Sequence, residues 1–184
     1  MSPVAVVVGP PGAGKTTVGE ALAAALGVGF RDTDADIVAA AGKPISDIFT
    51  EDGEPAFRVL EAEAVGTALV EHDGVLALGG GAIMNADTRA SLSGHTVVFL
   101  NVGLGEGVRR TGLSTARPLL AGVNPRSTFK QLLDARLPLY REVATVEVDT
   151  DTAAPEEIVA RLLDHLPASE PSGSEPPESE GEQR

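Results

Sequence analysis

The stretch GPPGAGKT at residues 9–16 follows the β-prone run VAVVV at 4–8 and leads into an Ala- and Leu-rich segment at 15–26. It fits G-x-x-x-x-G-K-[ST], the pattern of a phosphate-binding loop. Its glycines let the backbone turn so that N–H groups converge on phosphate oxygens. Lys15 is then placed to reach the β and γ phosphates, and the Thr16 hydroxyl to ligate Mg²⁺. The order strand, loop, helix matters more than the pattern, because a helix N-terminus points its dipole at the bound anion. A strand that is apolar at every position is buried on both faces, as in a parallel sheet covered by helices. The stretch therefore predicts an α/β protein that binds a nucleoside triphosphate.

Strands and helices alternate through the rest of the chain. The helix over 15–26 ends at Gly27, and a short strand over 28–31 runs into Asp32-Thr33-Asp34. A third strand over 75–78 runs into Gly79-Gly80-Gly81, where successive glycines imply a close approach to the backbone. Further strands are expected over 96–100 and 146–148. Helices are expected over 36–41, 54–71, 86–92, 103–111, 127–142 and 155–165, with Pro155 at the start of the last. Ser46 reads as the N-cap of a short piece containing Ile48 and Phe49. Pro138 is expected to kink or break the helix over 127–142. Residues 111–125, with Gly112, Pro118, Gly122 and Pro125 around Arg117, have the composition of a mobile loop that delivers one charged side chain.

At 184 residues, with 42% hydrophobic and 22% charged residues, the chain suits one soluble domain with a substantial core. It has no cysteine, which excludes disulfides, thiolate nucleophiles and cysteine zinc sites. No apolar run approaches a membrane span and no secretory signal is present, so a cytoplasmic protein is expected. A net charge of −13 argues against general nucleic-acid binding. From Pro167 onward the composition collapses to Pro, Ser, Gly and Glu; residues 167–184 carry a net −4 and read as a disordered acidic tail. The remaining 1–166 are acidic in their own right, at −9.

A phosphate loop identifies the donor and leaves the acceptor open. Polar residues at the C-terminal end of a strand sit where open α/β sheets bind ligands, which puts Asp32 and Asp34 beside the loop. One aspartate can hold Mg²⁺ while the other accepts a hydrogen bond from an attacking hydroxyl; alternatively, both cap the following helix. Arg58 and Glu61 lie one helical turn apart and can pair or face a common site. Arg109 and Arg110 at a helix C-terminus are equally well explained by the dipole. The lysines are Lys15, Lys43 and Lys130 alone, against eleven arginines whose rigid forks suit carboxylate and phosphate. His72, His95 and His165 show no metal spacing and read as surface residues.

Six segments in this order resemble shikimate kinase, the ATP-dependent enzyme that phosphorylates the 3-hydroxyl of shikimate in aromatic amino-acid biosynthesis. They are GPPGAGKT at Gly9, FRDTDADI at Phe30, GEPAFRVLEAEA at Gly53, LALGGGA at Leu76, RPLL at Arg117 and RLPLYREVA at Arg136. The resemblance covers the chain to about Leu166. It implies a three-layer αβα fold with a five-stranded parallel sheet in order 2-3-1-4-5, a substrate-binding region at about 33–61 and a lid at about 112–124. By the same resemblance ATP is held by Gly12, Ala13, Gly14, Lys15, Thr16 and Thr17, with Arg110 on the adenine, Pro155 nearby and Arg117 reaching the transferring phosphoryl. Thr16 and Asp32 serve Mg²⁺. Asp34 is the implied proton acceptor, so that Asp34, Lys15 and Arg117 form the catalytic set. Arg58 and Arg136 grip the substrate carboxylate, Glu61 orients them, Gly79, Gly80 and Gly81 line the pocket, and Phe49 and Phe57 wall it. Ala153 and Ala154 depart from relatives that carry a basic residue near the adenine. The implied partners are the two small molecules, with no nucleic acid or membrane, and a monomer is expected.

Two other functions share the loop. A gluconate or nucleoside-monophosphate kinase has no evident use for the aspartate pair, the glycine triplet and arginines suited to a carboxylate. A slow ATP-binding switch has none for the lid arginine.

Overall fold

A computed structural model describes residues 2–111 and 124–166. Five strands, β1 (Ala5–Val8), β2 (Phe30–Asp32), β3 (Val75–Ala77), β4 (Val97–Asn101) and β5 (Val146–Asp149), form one parallel sheet in the order β2-β3-β1-β4-β5. β1 lies at the centre, with Val7 in register with Ala77 on one side and with Val98 on the other.

The unbroken apolarity of β1 follows from burial on both faces. Ala5 and Val7 point into a core with α1 (Lys15–Leu26) and α8 (Pro155–Leu163), whose Leu22 and Leu162 are fully buried. Val6 and Val8 point into the opposite core, against Val65 and Leu69 of α4 (Glu54–Glu71) and Tyr140 of α7 (Pro125–Val143). Each fully buried Val or Leu contributes roughly 1.5–3 kcal/mol, so a polar residue in this strand would lose that gain and carry a desolvation cost. At the sheet edge, β5 alternates Val with Glu147 and Asp149, charges that discourage further strand pairing.

A third, smaller core joins Ile37 of α2 (Thr33–Ala41), Ile48 and Phe57 of α4. Between them lie the short α3 (Ile45–Asp47) and a π turn over Ile48–Asp52. This core holds the expected substrate-binding region as a unit beside the main sheet. Among the described residues the remaining helices are α5 (Ala86–Ser91), α6 (Leu104–Thr111) and a 3₁₀ turn over Ala82–Met84.

Several boundaries differ from expectation. The helix after β2 begins at Thr33, not Asp36, because the Asp32 carboxylate accepts from the Asp34 N–H at 3.0 Å and caps it. Asp34 therefore stands in the first helical turn. Pro44, not Ser46, precedes α3, and the Ser46 hydroxyl turns to Asp47 instead. Helix α7 runs through Pro138 without a break. It starts at Pro125, capped by the Asn124 side chain, while Thr111 closes α6, so both ends of the expected loop are helical. His72 and His95 are half-buried, unlike the exposed His165. Among the described residues no helix is long and apolar enough to cross a membrane.

Candidate active site

The C-terminal ends of β1, β2 and β3 open onto a cavity of about 460 Å³. One wall is the loop. Gly14 takes a positive φ of 86° at the N-cap of α1 and its carbonyl receives the Val18 N–H at 2.8 Å, so the helix starts directly behind the loop. Gly12, with φ of 79°, lies where an added Cβ would stand 2.7 Å from the Thr111 methyl. The Lys15 ammonium donates to the Gly9 and Pro10 carbonyls at 2.9 and 3.2 Å, curled over the loop. The Thr16 hydroxyl donates to Asp32 at 3.1 Å. Asp32 thus uses one carboxylate oxygen as helix cap and turns the other to the Thr16 hydroxyl of the loop.

The facing wall comes from distant parts of the chain. Arg58 of α4 donates to Glu61 at 2.6 Å and to Glu54 at 2.9 Å, and its guanidinium carbon lies 5.3 Å from the Phe57 ring centroid. Phe49 packs on Phe57 at 4.6 Å between ring centroids. Arg136 enters from α7 and is only 6% exposed. No carboxylate comes within ion-pair distance of it among the described residues, although Glu61 acts on it through space. Glu61 is 3% exposed; burial pushes its carboxyl above the ordinary 4.5, against the pull of Arg58 and then Arg136. Burial also opposes the charge on Arg58, but Glu61 and Glu54 outweigh it and raise that guanidinium.

The glycine triplet forms the floor. The Gly79 N–H donates to the buried Thr33 hydroxyl at 3.2 Å, which ties β3 to the first turn of α2. An added Cβ at Gly79 would stand 2.6 Å from an Asp34 oxygen and 2.8 Å from a Glu61 oxygen, and one at Gly81 would collide with the Arg58 guanidinium. The glycines are the condition for three charged groups to converge there.

On the donor side Arg110 donates to the Gly12 carbonyl at 3.2 Å and to the Thr150 carbonyl at 2.8 Å. Glu106 pairs with Arg109 and Arg110, which hold its carboxyl down to about 2.

Gly12, Gly14, Lys15, Thr16, Thr17, Asp32, Asp34, Phe49, Phe57, Arg58, Glu61, Gly79, Gly80, Gly81, Arg110 and Arg136 all line this cavity. Ala13 is 1% exposed, with its side chain in the core rather than on the wall. Pro155 opens α8 and is not among the lining residues. Arg117, most of the expected lid and the tail over 167–184 lie outside the described residues. Pro11, Ile45 and Leu132 line the cavity without having been expected. Leu132 sits one turn before Arg136 on the same helix face, a spacing that could have marked it; Ile45 carried no comparable signal.

A phosphate loop at the switch of a parallel αβα sheet, sharing one cavity with carboxylates and two arginines from distant helices, defines a P-loop kinase that acts on a small acidic acceptor. The sequence model described as shikimate kinase matches residues 11–167. The shikimate kinase of Saccharopolyspora erythraea is 66% identical over 175 residues, covering 95% of this chain and all of the relative. That of Streptomyces coelicolor is 57% identical over 92% of this chain and 98% of its own. Among solved structures, the shikimate kinase of Acinetobacter baumannii in complex with shikimate superposes with a TM-score of 0.86 at 38% identity, covering 90% of this chain and 92% of that one. The chain belongs to the shikimate kinase family.

Proposed function

We propose that this chain transfers the γ-phosphoryl group of ATP to the 3-hydroxyl of shikimate, giving shikimate 3-phosphate and ADP. The observation that carries this is Arg136: a buried guanidinium on the cavity wall, with no carboxylate in ion-pair contact among the described residues, facing a phosphate loop. A buried cation is costly unless met by a counter-charge, and an acceptor carboxylate supplies one with matching two-pronged geometry.

The first step is binding. The loop amides and Lys15 take the phosphates of ATP, and Arg110 borders the nucleotide side. Arg136 and Arg58 take the shikimate carboxylate, with Glu61 holding Arg58 in place. This turns the ring so that a hydroxyl approaches Asp34, whose carboxylate receives the proton as oxygen attacks phosphorus. Most of the rate enhancement comes from this positioning together with charge stabilisation of the transferring group.

Mg²⁺ neutralises the phosphate oxygens when bound. No cluster of three or more acidic or histidine ligands occurs among the described residues. The Thr16 hydroxyl and Asp32 carboxylate, 3.1 Å apart at the loop, suit a Mg²⁺ ion that takes one or two protein ligands and fills the rest with phosphate and water. Arg117 is assigned to the transferring phosphoryl and the segment about 112–124 to closure over it; 167–184 is assigned no catalytic part. A cytoplasmic monomer of one domain agrees with these small, diffusible substrates.

ADP release with shikimate, gluconate, AMP or water as acceptor tests the assignment. Shikimate should exceed every other acceptor by orders of magnitude. A rate with shikimate no higher than with water would refute it.

A further inference from the structure

Tyr140 has no part in the steps above, although it shares the run RLPLYREVA with Arg136. It lies one turn beyond Arg136 on α7, 1% exposed, stacked on Phe99 of β4 at 5.0 Å between ring centroids. A buried phenol needs a hydrogen-bond partner. This one donates to the Gly80 carbonyl at 2.5 Å. Burial pushes its hydroxyl up to about 12, with Arg136 pulling the other way, so it stays protonated and donating at neutral pH.

The Gly80 carbonyl belongs to the peptide that joins Gly80 to Gly81, and no described peptide bond is cis. In a trans peptide the C=O and the following N–H point in opposite directions. Turning this carbonyl onto the buried phenol turns the Gly81 N–H away from it. Gly80 and Gly81 line the cavity, whereas Tyr140 does not. Among the described residues, neither the Gly80 nor the Gly81 N–H donates a hydrogen bond. The flanking groups are held: Gly79 by Thr33, and the Ala82 N–H by the Gly79 carbonyl at 3.1 Å. Two adjacent glycines leave the plane of the intervening peptide as the least restrained part of the floor.

We propose that Tyr140 is a positioning residue for the acceptor: its hydroxyl locks the Gly80–Gly81 peptide so that the Gly81 N–H is presented to an acceptor oxygen, from the same helix that carries Arg136. The floor and the carboxylate grip are thereby set by one rigid element, which is how a site holds a ring to the tolerance that in-line transfer requires. This inference rests on the acceptor being shikimate.

Tyr140→Phe keeps the ring and its stack on Phe99 and removes the hydroxyl, with its donation to the Gly80 carbonyl and its contact with Arg136. The shikimate KM should rise about tenfold while the ATP KM stays within about twofold, the signature of a lost acceptor contact. A purely structural role would lower the melting temperature and leave both KM values alone; that outcome overturns the proposal. In the wild-type enzyme, amide exchange at Gly81 should be slowed by shikimate without nucleotide, and unchanged exchange overturns the proposal even if Tyr140→Phe fails to fold. Lack of shikimate-dependent ADP release by the wild type would instead overturn the assignment of acceptor, and the proposal with it.

Discussion

Replacing Arg136 by lysine keeps a positive charge on α7 and removes the planar fork, so it separates charge from geometry. Hydrogen bonds to charged groups contribute about 1.5–3 kcal/mol each. Lysine retains one of two, which predicts a rise in shikimate KM of about 10- to 100-fold, since ~1.4 kcal/mol is tenfold. Alanine loses both, for a rise of about two to four orders of magnitude. Arg58 should be less sensitive to the same change. Its nitrogens are already engaged by Glu61 and by the half-exposed Glu54, so a substrate carboxylate displaces an existing contact rather than meeting an unmatched charge. The fold should survive both changes, with melting shifts of a few degrees, because Arg136 has no ion pair to break among the described residues. An ADP-release assay varying both substrates reads the effect, with the methyl ester of shikimate as second arm. The ester should lose affinity for the wild type and lose little more for Arg136→Ala, as expected when one contact is removed from either side. An Arg136→Lys enzyme with shikimate KM within threefold of wild type, or with ATP KM rising in parallel, would refute the assignment.

Asp34→Asn should bind both substrates with near-normal KM and lower kcat by about 10²- to 10⁴-fold, and a kcat near wild type would remove Asp34 as proton acceptor. Gly79→Ala puts a methyl group 2.6 Å from Asp34 and 2.8 Å from Glu61, so activity and melting temperature should fall together; normal kinetics would show that the floor has room to move. Glu61 has a folded-state pKa above its unfolded value, so the folded chain binds more protons than the unfolded one and this group's contribution to stability falls as pH rises above about 4.5. In urea titrations the lead of wild type over Glu61→Gln should therefore shrink as pH rises above about 4.5, and a widening lead would contradict the raised carboxyl.

The donor half of the site was legible because its parts are neighbours in the chain. Residues 4–26 specify a buried strand, a glycine turn and a helix, and hydrogen bonds such as Val18 to Gly14 assemble them locally. The acceptor half could be named only through family resemblance, since taken alone Arg58 can pair with Glu61 along its own helix and no local pattern marks Arg136. Burial distinguishes them, and burial depends on what packs against each helix face. Asp32 shows an intermediate case: the capping reading was legible in the sequence, whereas the contact of its second carboxylate oxygen with Thr16 appears only in the fold.

By itself the sequence determined the parallel αβα class, the triphosphate loop and the glycine triplet, because strand burial, turn geometry and helix periodicity act over a few residues. The tertiary structure decided that Arg58, Arg136 and Gly79 to Gly81 share one cavity, and that Tyr140 reaches Gly80 beneath it. It also decided the central place of β1, which brings the phosphate loop between the two walls. These are contacts between segments far apart in the chain. Their geometry is set by how helices pack across a sheet, and no local pattern of side chains encodes it.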